Sequence, residues 1–219
     1  MNLFQYEPTQ NLLPFDGTVN YFGPILTPCE AQDYLEVLVT TIPWRNDEAI
    51  ICGKHIVTER KIAWYGDADY SYTYSGTAKT ALAWTRELRA LKDLVEGKTG
   101  TSFNSCLLNL YHDGNEGMGW HSDDEKSLGK NTAIASLSFG AERKFAFRHK
   151  RNGESISIQL EDGSLLVMKG TTQTFWQHSV PKSAKITTPR INLTFRTIVL
   201  EETEDNNRSG KASFQSDPP

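Results

Sequence analysis

In the segment Arg190-Ile191-Asn192-Leu193-Thr194-Phe195-Arg196, polar and apolar side chains alternate without a break. Successive side chains of an extended strand point to opposite faces. The segment therefore predicts a strand with Ile191, Leu193 and Phe195 on one face and two guanidiniums, an amide and a hydroxyl on the other. A solvent-facing edge strand has the same alternation, but here the pattern recurs. Ser136 and Ser138, and Asn109 and Tyr111, repeat it on two further apolar runs. Several strands that each turn one polar face the same way predict a sandwich or barrel closed around a polar interior.

The surrounding pattern agrees. Strands are expected at 105–111, 132–139, 144–149, 155–160, 164–169 and 190–199, separated by turn pairs such as Asp113-Gly114, Asn152-Gly153 and Asp162-Gly163. The first hundred residues read as helical. Thr27-Pro28-Cys29-Glu30 combines an N-cap, a proline at the first helical position and the glutamate of a capping box. Leu35, Leu38, Val39 and Ile42 then form an apolar stripe that Pro43 ends. A second helix is expected from about Thr85 to Glu96, with Leu88, Leu91, Leu94 and Val95 inward and Gly97 as its stop. Helices followed by many short strands define the expected class as α+β, with helices buttressing an antiparallel sandwich or barrel. The residues before Tyr21, with Leu12, Leu13 and Phe15, read as an extended strap over the core.

A chain of 219 residues, 38% hydrophobic and 23% charged, suits one ordinary domain with a sizeable core. It has no apolar run long enough to span a bilayer, and its first residues lack the basic start and apolar block of a secretory signal. No membrane association is expected. A monomer in the cytoplasm is, with the nucleus as a second location in a eukaryotic cell. Cys29, Cys52 and Cys106 are odd in number and contain no CxxC pair, which argues against a disulfide framework or a zinc knuckle. Cys106 is expected to pack as a small apolar residue. The net charge of -4 is concentrated at the ends: Glu7 and Asp16 near the start, and Glu201, Glu202, Glu204, Asp205 and Asp217 against Arg208 and Lys211 after residue 200. Between them lies a basic cluster, Arg143, Lys144, Arg148, Lys150 and Arg151, which reads as a local basic face able to hold phosphates. The tail from Glu201 has too little apolar surface to order itself.

His121 and Asp123 are two positions apart, so on an extended segment both project to one side and can chelate one ion. Taken alone, the pair is equally the mark of an exposed loop. With the distant His178 it makes two imidazoles and one carboxylate, the set that holds Fe(II) on one face and leaves the other open to oxygen and an organic acid. The arginine-bearing strand supplies the counter-charge for that acid, because a planar guanidinium pairs with a carboxylate through two parallel hydrogen bonds.

From about residue 45 to 199 the chain resembles the AlkB family of Fe(II)- and 2-oxoglutarate-dependent nucleic-acid dealkylases, especially the branch of the duplex-DNA repair homologues. The resemblance is carried, in order, by Tyr65-Gly-Asp, Tyr72-Thr-Tyr74-Ser-Gly, Leu108-Asn109-Leu-Tyr111, His121-Ser-Asp123-Asp124-Glu125, Ile134-Ala-Ser-Leu-Ser-Phe-Gly140, Phe147-Arg-His-Lys150 and the terminal RxNxTxR strand. It implies a double-stranded β-helix, or jelly-roll, core at 101–200. Residues 21–100 are then a helical buttress and nucleotide-recognition lid, 1–20 an N-terminal extension and 201–219 an acidic tail. It further implies that His121, Asp123 and His178 ligate iron, and that Asn109, Tyr111, Arg190, Asn192, Thr194 and Arg196 surround 2-oxoglutarate. Arg190 and Tyr111 would take the distal carboxylate, with Arg196 and Asn109 toward the iron.

The implied reaction uses O2 as second cosubstrate. It oxidises the N-alkyl group of a base such as 1-methyladenine or 3-methylcytosine in DNA, with RNA a further candidate, and releases succinate, CO2 and an aldehyde. A target inside a base must leave the stack. Tyr72 and Tyr74 are candidates to receive it, Tyr74 sandwiching it against His121, although a YxY run also suits a plain β-core. Asp124 and Glu125 are candidates to read the base edge. In the duplex-acting relatives a hydrophobic finger fills the vacated gap. The corresponding segment here, Ile51-Cys52-Gly53-Lys54, offers Cys52 where an aromatic wedge is expected, so activity on single strands is expected to match or exceed that on duplexes. A barrel oxygenase acting on a protein or small molecule shares the triad and the arginines but needs neither the tyrosines nor the basic cluster.

Overall fold

The computed structural model describes residues 7–51, 54–68, 70–74 and 77–199, of which 49–51, 54, 71–74 and 77–79 are described by backbone alone. In chain order the elements are β1 (Thr18–Pro24), α1 (Pro28–Thr41), β2 (Arg45–Ile51), β3 (Lys54–Gly66), β4 (Ser71–Tyr74), β5 (Thr77–Thr80), β6 (Leu82–Ala83) and α2 (Arg86–Thr99). There follow β7 (Ser105–Tyr111), β8 (Met118–His121), β9 (Ile134–Gly140), β10 (Arg143–His149), β11 (Ser155–Leu160), β12 (Ser164–Lys169), α3 (Thr172–Phe175), β13 (Trp176–Val180) and β14 (Arg190–Arg196).

The large sheet runs β1-β12-β9-β14-β7-β3-β2, with β6 joined to β3, and the small sheet runs β11-β10-β13-β8. From β7 onward the chain passes back and forth between them, which is the winding of a jelly-roll, and with its helices the class is α+β as expected. One apolar layer, including Phe145, Phe147, Leu166 and Trp176, fills the space between the sheets. A second, including Leu38, Leu88, Leu91, Leu108, Leu193 and Phe195, joins the outer face of the large sheet to α1 and α2. The alternation of β14 explains why: its apolar face serves the helices and its polar face looks into the sandwich.

Helix α1 begins as expected. Thr27 accepts a hydrogen bond from the Glu30 amide at 3.3 Å, and Glu30 accepts one in return from the Thr27 amide at 2.9 Å. Ile42 is extended, as a residue before proline prefers. The apolar stripe holds at Leu38 and Ile42, with Leu35 half-buried against the core; Val39 alone departs from it and Ala31 joins it. Ala31, Leu38 and Ile42 are buried, whereas Val39 is 37% exposed. Helix α2 is capped by Thr85 but does not stop at Gly97; it continues to Thr99 and ends at Gly100, whose φ is 66°. A mid-helix glycine costs only about 1 kcal/mol, whereas the left-handed conformation at Gly100 is one that glycine adopts without penalty.

The first hundred residues also supply strands to the large sheet. β1 pairs with β12, and β3 pairs with β7 over Lys61–Gly66, so the sheet crosses position 100 without interruption. Before Lys61, β3 runs on beyond the edge of β7 as a two-stranded ribbon with β2, irregular around Asp47 and paired as far as Ile51 with Lys54. The strap packs on the core, but up to residue 17 it runs as turns and bends rather than as extended chain: Trp176 donates its indole N–H to the Phe15 carbonyl at 3.1 Å, and Leu13 is buried. The tail from 201 lies outside the described residues. None of the described helices is long and apolar enough to cross a membrane.

Candidate active site

His121 ends β8 and His178 lies directly opposite it on β13. The two rings approach to 4.2 Å between centroids. Asp123 follows two residues after His121, and its backbone N–H is held by Gln173 Oε1 at 2.9 Å. One ligand atom from each of these three residues lies within 4.8 Å of the others, close enough to share a metal ion.

Their protonation suits that task. The Gly119 carbonyl can only accept, so the 2.9 Å contact makes His121 Nδ1 the donor, and Nε2 lies 3.7 Å from Asp123 Oδ1. Burial drives the His178 pKa down to about 3, against the pull of Asp123, so the ring is neutral. Burial alone would raise the Asp123 carboxyl, but Arg196, then His178 and His121, hold it below its ordinary range. Arg196 binds Asp123 Oδ2 at 2.9 Å. Although burial lowers its own pKa, the charges of Asp123 and Glu125 more than restore it.

The polar face of β14 forms the opposite wall. Arg190 is 1% exposed, and its Nη2 donates to Ser138 Oγ at 3.0 Å and to Asn192 Oδ1 at 2.7 Å. Asn192 also accepts from Ser136 Oγ at 2.8 Å and donates to Thr194 Oγ1 at 2.9 Å. Register fixes this set: Asn192 faces Asn109 on one side and Ser138 on the other, and Arg190 faces Tyr111. The Arg190 guanidinium lies 5.5 Å over the Tyr111 ring. Burial lowers the Arg190 pKa to about 10, partly offset by Tyr111, and the group stays cationic.

The Nε and Nη1 atoms of Arg190 and the Nε of Arg196 are buried without a hydrogen-bond partner. Orphaned N–H donors on a buried guanidinium leave hydrogen-bonding capacity and charge that suit a carboxylate. The donor sets therefore fit an octahedral cation at one end of the cavity and a dicarboxylate between them.

Leu107, Met118, Phe145, Met168 and Val180 complete the cavity lining together with the triad and the polar wall. None of these was singled out by sequence, because on periodicity each reads as ordinary core. Arg60 was not singled out either, because a lone arginine in Thr58-Glu59-Arg60-Lys61 carries no local signal. In the fold it is 7% exposed and donates to Asn109 Oδ1 and to Asp47 Oδ2.

The substrate-side residues divide. Asp124 is exposed, 3.8 Å from the Lys150 ammonium, whereas Glu125 is half-buried, with Oε2 sequestered and unpaired near Arg196. Tyr72 and Tyr74 pair through their backbones with Lys79 and Thr77, and Lys54 with Ile51. Cys52 and Gly53 lie outside the described residues.

The expected basic face loses one member. Arg143 is 1% exposed and donates to the carbonyls of Asp113, Glu116 and Pro181 at 3.2, 2.7 and 2.9 Å. Its alternation with Phe145 and Phe147 puts it on the inner face, a signal that a charge count overlooks. Arg148 instead lies 4.4 Å over the half-exposed Trp120 ring, Arg151 covers Phe175 at 5.3 Å, and Lys144 is exposed.

The pattern of the 2OG-Fe(II) oxygenase superfamily matches residues 18–196 of this chain. The chain belongs to that superfamily. Within it the likeness is to AlkB-family proteins. Human alpha-ketoglutarate-dependent dioxygenase alkB homolog 3 is 44% identical over 178 residues, 77% of this chain and 62% of the relative. Human DNA oxidative demethylase ALKBH2 is 44% identical over 158 residues, 68% of this chain and 60% of the relative. The Arabidopsis thaliana protein of the latter name is 34% identical over 218 residues, 87% of this chain and 65% of the relative. The matched part thus spans less than two thirds of these relatives. The solved structure described as that of OsALKBH1 superposes with a TM-score of 0.54 at 16% identity, covering 86% of this chain and 99% of its own, and shares the fold. The superfamily's chemistry takes Fe(II), 2-oxoglutarate and O2, the ligands that the two donor sets fit.

Proposed function

We propose that this AlkB-family chain oxidatively dealkylates N-alkylated bases of the 1-methyladenine and 3-methylcytosine type in DNA, with RNA a further substrate, releasing succinate, CO2 and an aldehyde. The observation that carries the chemistry is the pairing, across one cavity, of a neutral-His, ionised-Asp, His triad with a buried guanidinium holding two orphaned N–H groups. The nucleic-acid substrate is supported by 44% identity to proteins named for DNA demethylation and alkB homology.

In this reading His121, Asp123 and His178 hold Fe(II), and bound Fe(II) with 2-oxoglutarate and O2 supplies the oxidising power for an alkyl C–H bond. The chain's own residues position and shield. Arg190, with Tyr111, pairs with the distal carboxylate. Asn109, Asn192 and Thr194 line its length, and Arg196 keeps Asp123 ionised and aimed. Phe145, Met168 and Val180 exclude water from the reacting end. His121 is half-exposed at the rim, where the target base enters, next to Asp124. Tyr72, Tyr74, Asp124 and Glu125 are the residues we assign to the base, and Cys52, Gly53 and Lys54 those we assign to the strand from which it comes.

The test is anaerobic loading with Fe(II), followed by aerobic turnover of 2-oxoglutarate with oligonucleotides carrying 1-methyladenine or 3-methylcytosine, single- and double-stranded, at one salt concentration. Succinate release matched by loss of the lesion is expected, and His121→Ala, Asp123→Ala and His178→Ala are each expected to abolish it. Succinate formation that no alkylated oligonucleotide stimulates would reassign the substrate to a small molecule or protein.

A further inference from the structure

The Arg60 guanidinium joins two parts of the molecule, the cavity wall and the root of the β2–β3 ribbon. It sits on β3 where that strand leaves β7 and continues into the ribbon with β2. One amino group donates to Asn109 Oδ1, inside the cavity wall, and the other to Asp47 Oδ2, at the irregularity from which the ribbon projects. Both acceptors hold it in a largely buried position, with side-chain exposures of 8% for Arg60 and 17% for Asp47.

A guanidinium has donors and no acceptor, so it fixes which end of the Asn109 amide it meets. The oxygen is committed to Arg60, and the NH2 end is left for the cavity that Asn109 lines. That orientation matters for an anionic guest. An amide turned the other way would present its oxygen to a carboxylate, replacing an attraction with a repulsion, and neither Asn192 opposite nor Ser138 beyond it holds Asn109 against such a flip in any described hydrogen bond.

We propose that Arg60, clamped by Asp47, is a positioning residue that locks the Asn109 amide with its NH2 toward 2-oxoglutarate, so that cosubstrate affinity depends on the root of the β2–β3 ribbon. The proposal rests on the reading of this cavity as the 2-oxoglutarate site.

The experiment measures 2-oxoglutarate binding directly, by calorimetry on the whole chain loaded with Mn(II), which permits no turnover. Wild type, Arg60→Met, Asn109→Ala and the double variant form one cycle, and Arg60→Lys and Asp47→Asn are measured in both Asn109 backgrounds. Arg60→Met is expected to weaken binding about tenfold, the size of one hydrogen bond to a charged group. Arg60→Lys and Asp47→Asn should each weaken it about threefold, since each keeps part of the clamp. All three effects should vanish in the Asn109→Ala background, a non-additivity that general loosening of the fold would not produce. Losses that multiply across the cycle, or wild-type affinity in Arg60→Met, would overturn the proposal. If Arg60→Met does not fold, the Arg60→Lys and Asp47→Asn cycles decide by the same criterion. Failure of the wild type itself to bind 2-oxoglutarate would instead remove the underlying reading of the cavity.

Discussion

Among the described residues, Arg143 and Arg190 are each 1% exposed, and their surroundings assign them opposite tasks. Arg143 commits three of its N–H donors to backbone carbonyls. Arg190 keeps two N–H groups unpaired. Removing the first should damage the fold: Arg143→Met leaves three carbonyls unsatisfied and should cost about 3 kcal/mol of stability, since each lost buried hydrogen-bond partner costs ~1–3 kcal/mol. Equilibrium urea unfolding checks this, and an unchanged midpoint would show that water replaces the guanidinium. Changing the second should damage binding. Arg190→Lys keeps the charge but loses the fork, so the concentration of 2-oxoglutarate giving half-maximal turnover should rise by about tenfold or more, with the oligonucleotide dependence little altered. A cosubstrate dependence equal to wild type would move the distal carboxylate to Arg196.

At the scale of elements, the arginine end of the cavity is built by two loops tied to each other, one after β7 and one after β13. The Gly114 amide donates to the Ile186 carbonyl at 2.8 Å, and the Ser183 amide donates to the Gly114 carbonyl at 2.7 Å. They approach so closely that a Cβ on Gly114 would lie 1.9 Å from the Ser183 carbonyl oxygen. Gly114→Ala must therefore separate the loops and break both bonds, at a cost of about 2–3 kcal/mol by analogy with overpacked sites. It should also weaken 2-oxoglutarate, because Tyr111 and Arg143 stand at the foot of the same loops. Thermal unfolding together with cosubstrate titration tests both, and a variant as stable as wild type would mean that the loops part without loss.

Across the whole molecule, the two sheets contribute different chemistry to one cavity. The small sheet carries both histidines, and the large sheet carries the carboxylate seat. Cosubstrate and metal bound together bridge the sheets and should stabilise the native state as a unit. At a ligand concentration of 100 Kd the gain is about 2.7 kcal/mol, equivalent to a rise in Tm of roughly 5–10 °C for a domain of this size. Scans with Mn(II) alone, 2-oxoglutarate alone and both would show the largest shift for the pair. A chelator should return the Tm to its starting value, and shifts unaffected by chelation would place the dicarboxylate elsewhere.

The sequence alone determined whatever depends on local period and chemistry. The alternation along 190–196 specified a two-faced strand, Thr27 to Glu30 specified a helix start, and the His121, Asp123 and His178 set specified an iron-type ligand group, because side-chain direction in a strand and cap geometry in a helix follow from neighbours in the chain. The tertiary structure decided what depends on partners far away. β8 and β13, four and five residues long, are too short and too mixed for periodicity to reveal, yet they bring His121 and His178 face to face. The C-terminal end of α2 passed Gly97, whose cost in a helix is small, and stopped at the left-handed Gly100. Arg60, for which the sequence carried no signal, and Arg143, read as part of a basic face, are buried because acceptors from distant loops and strands converge on them, and no local pattern encodes that convergence.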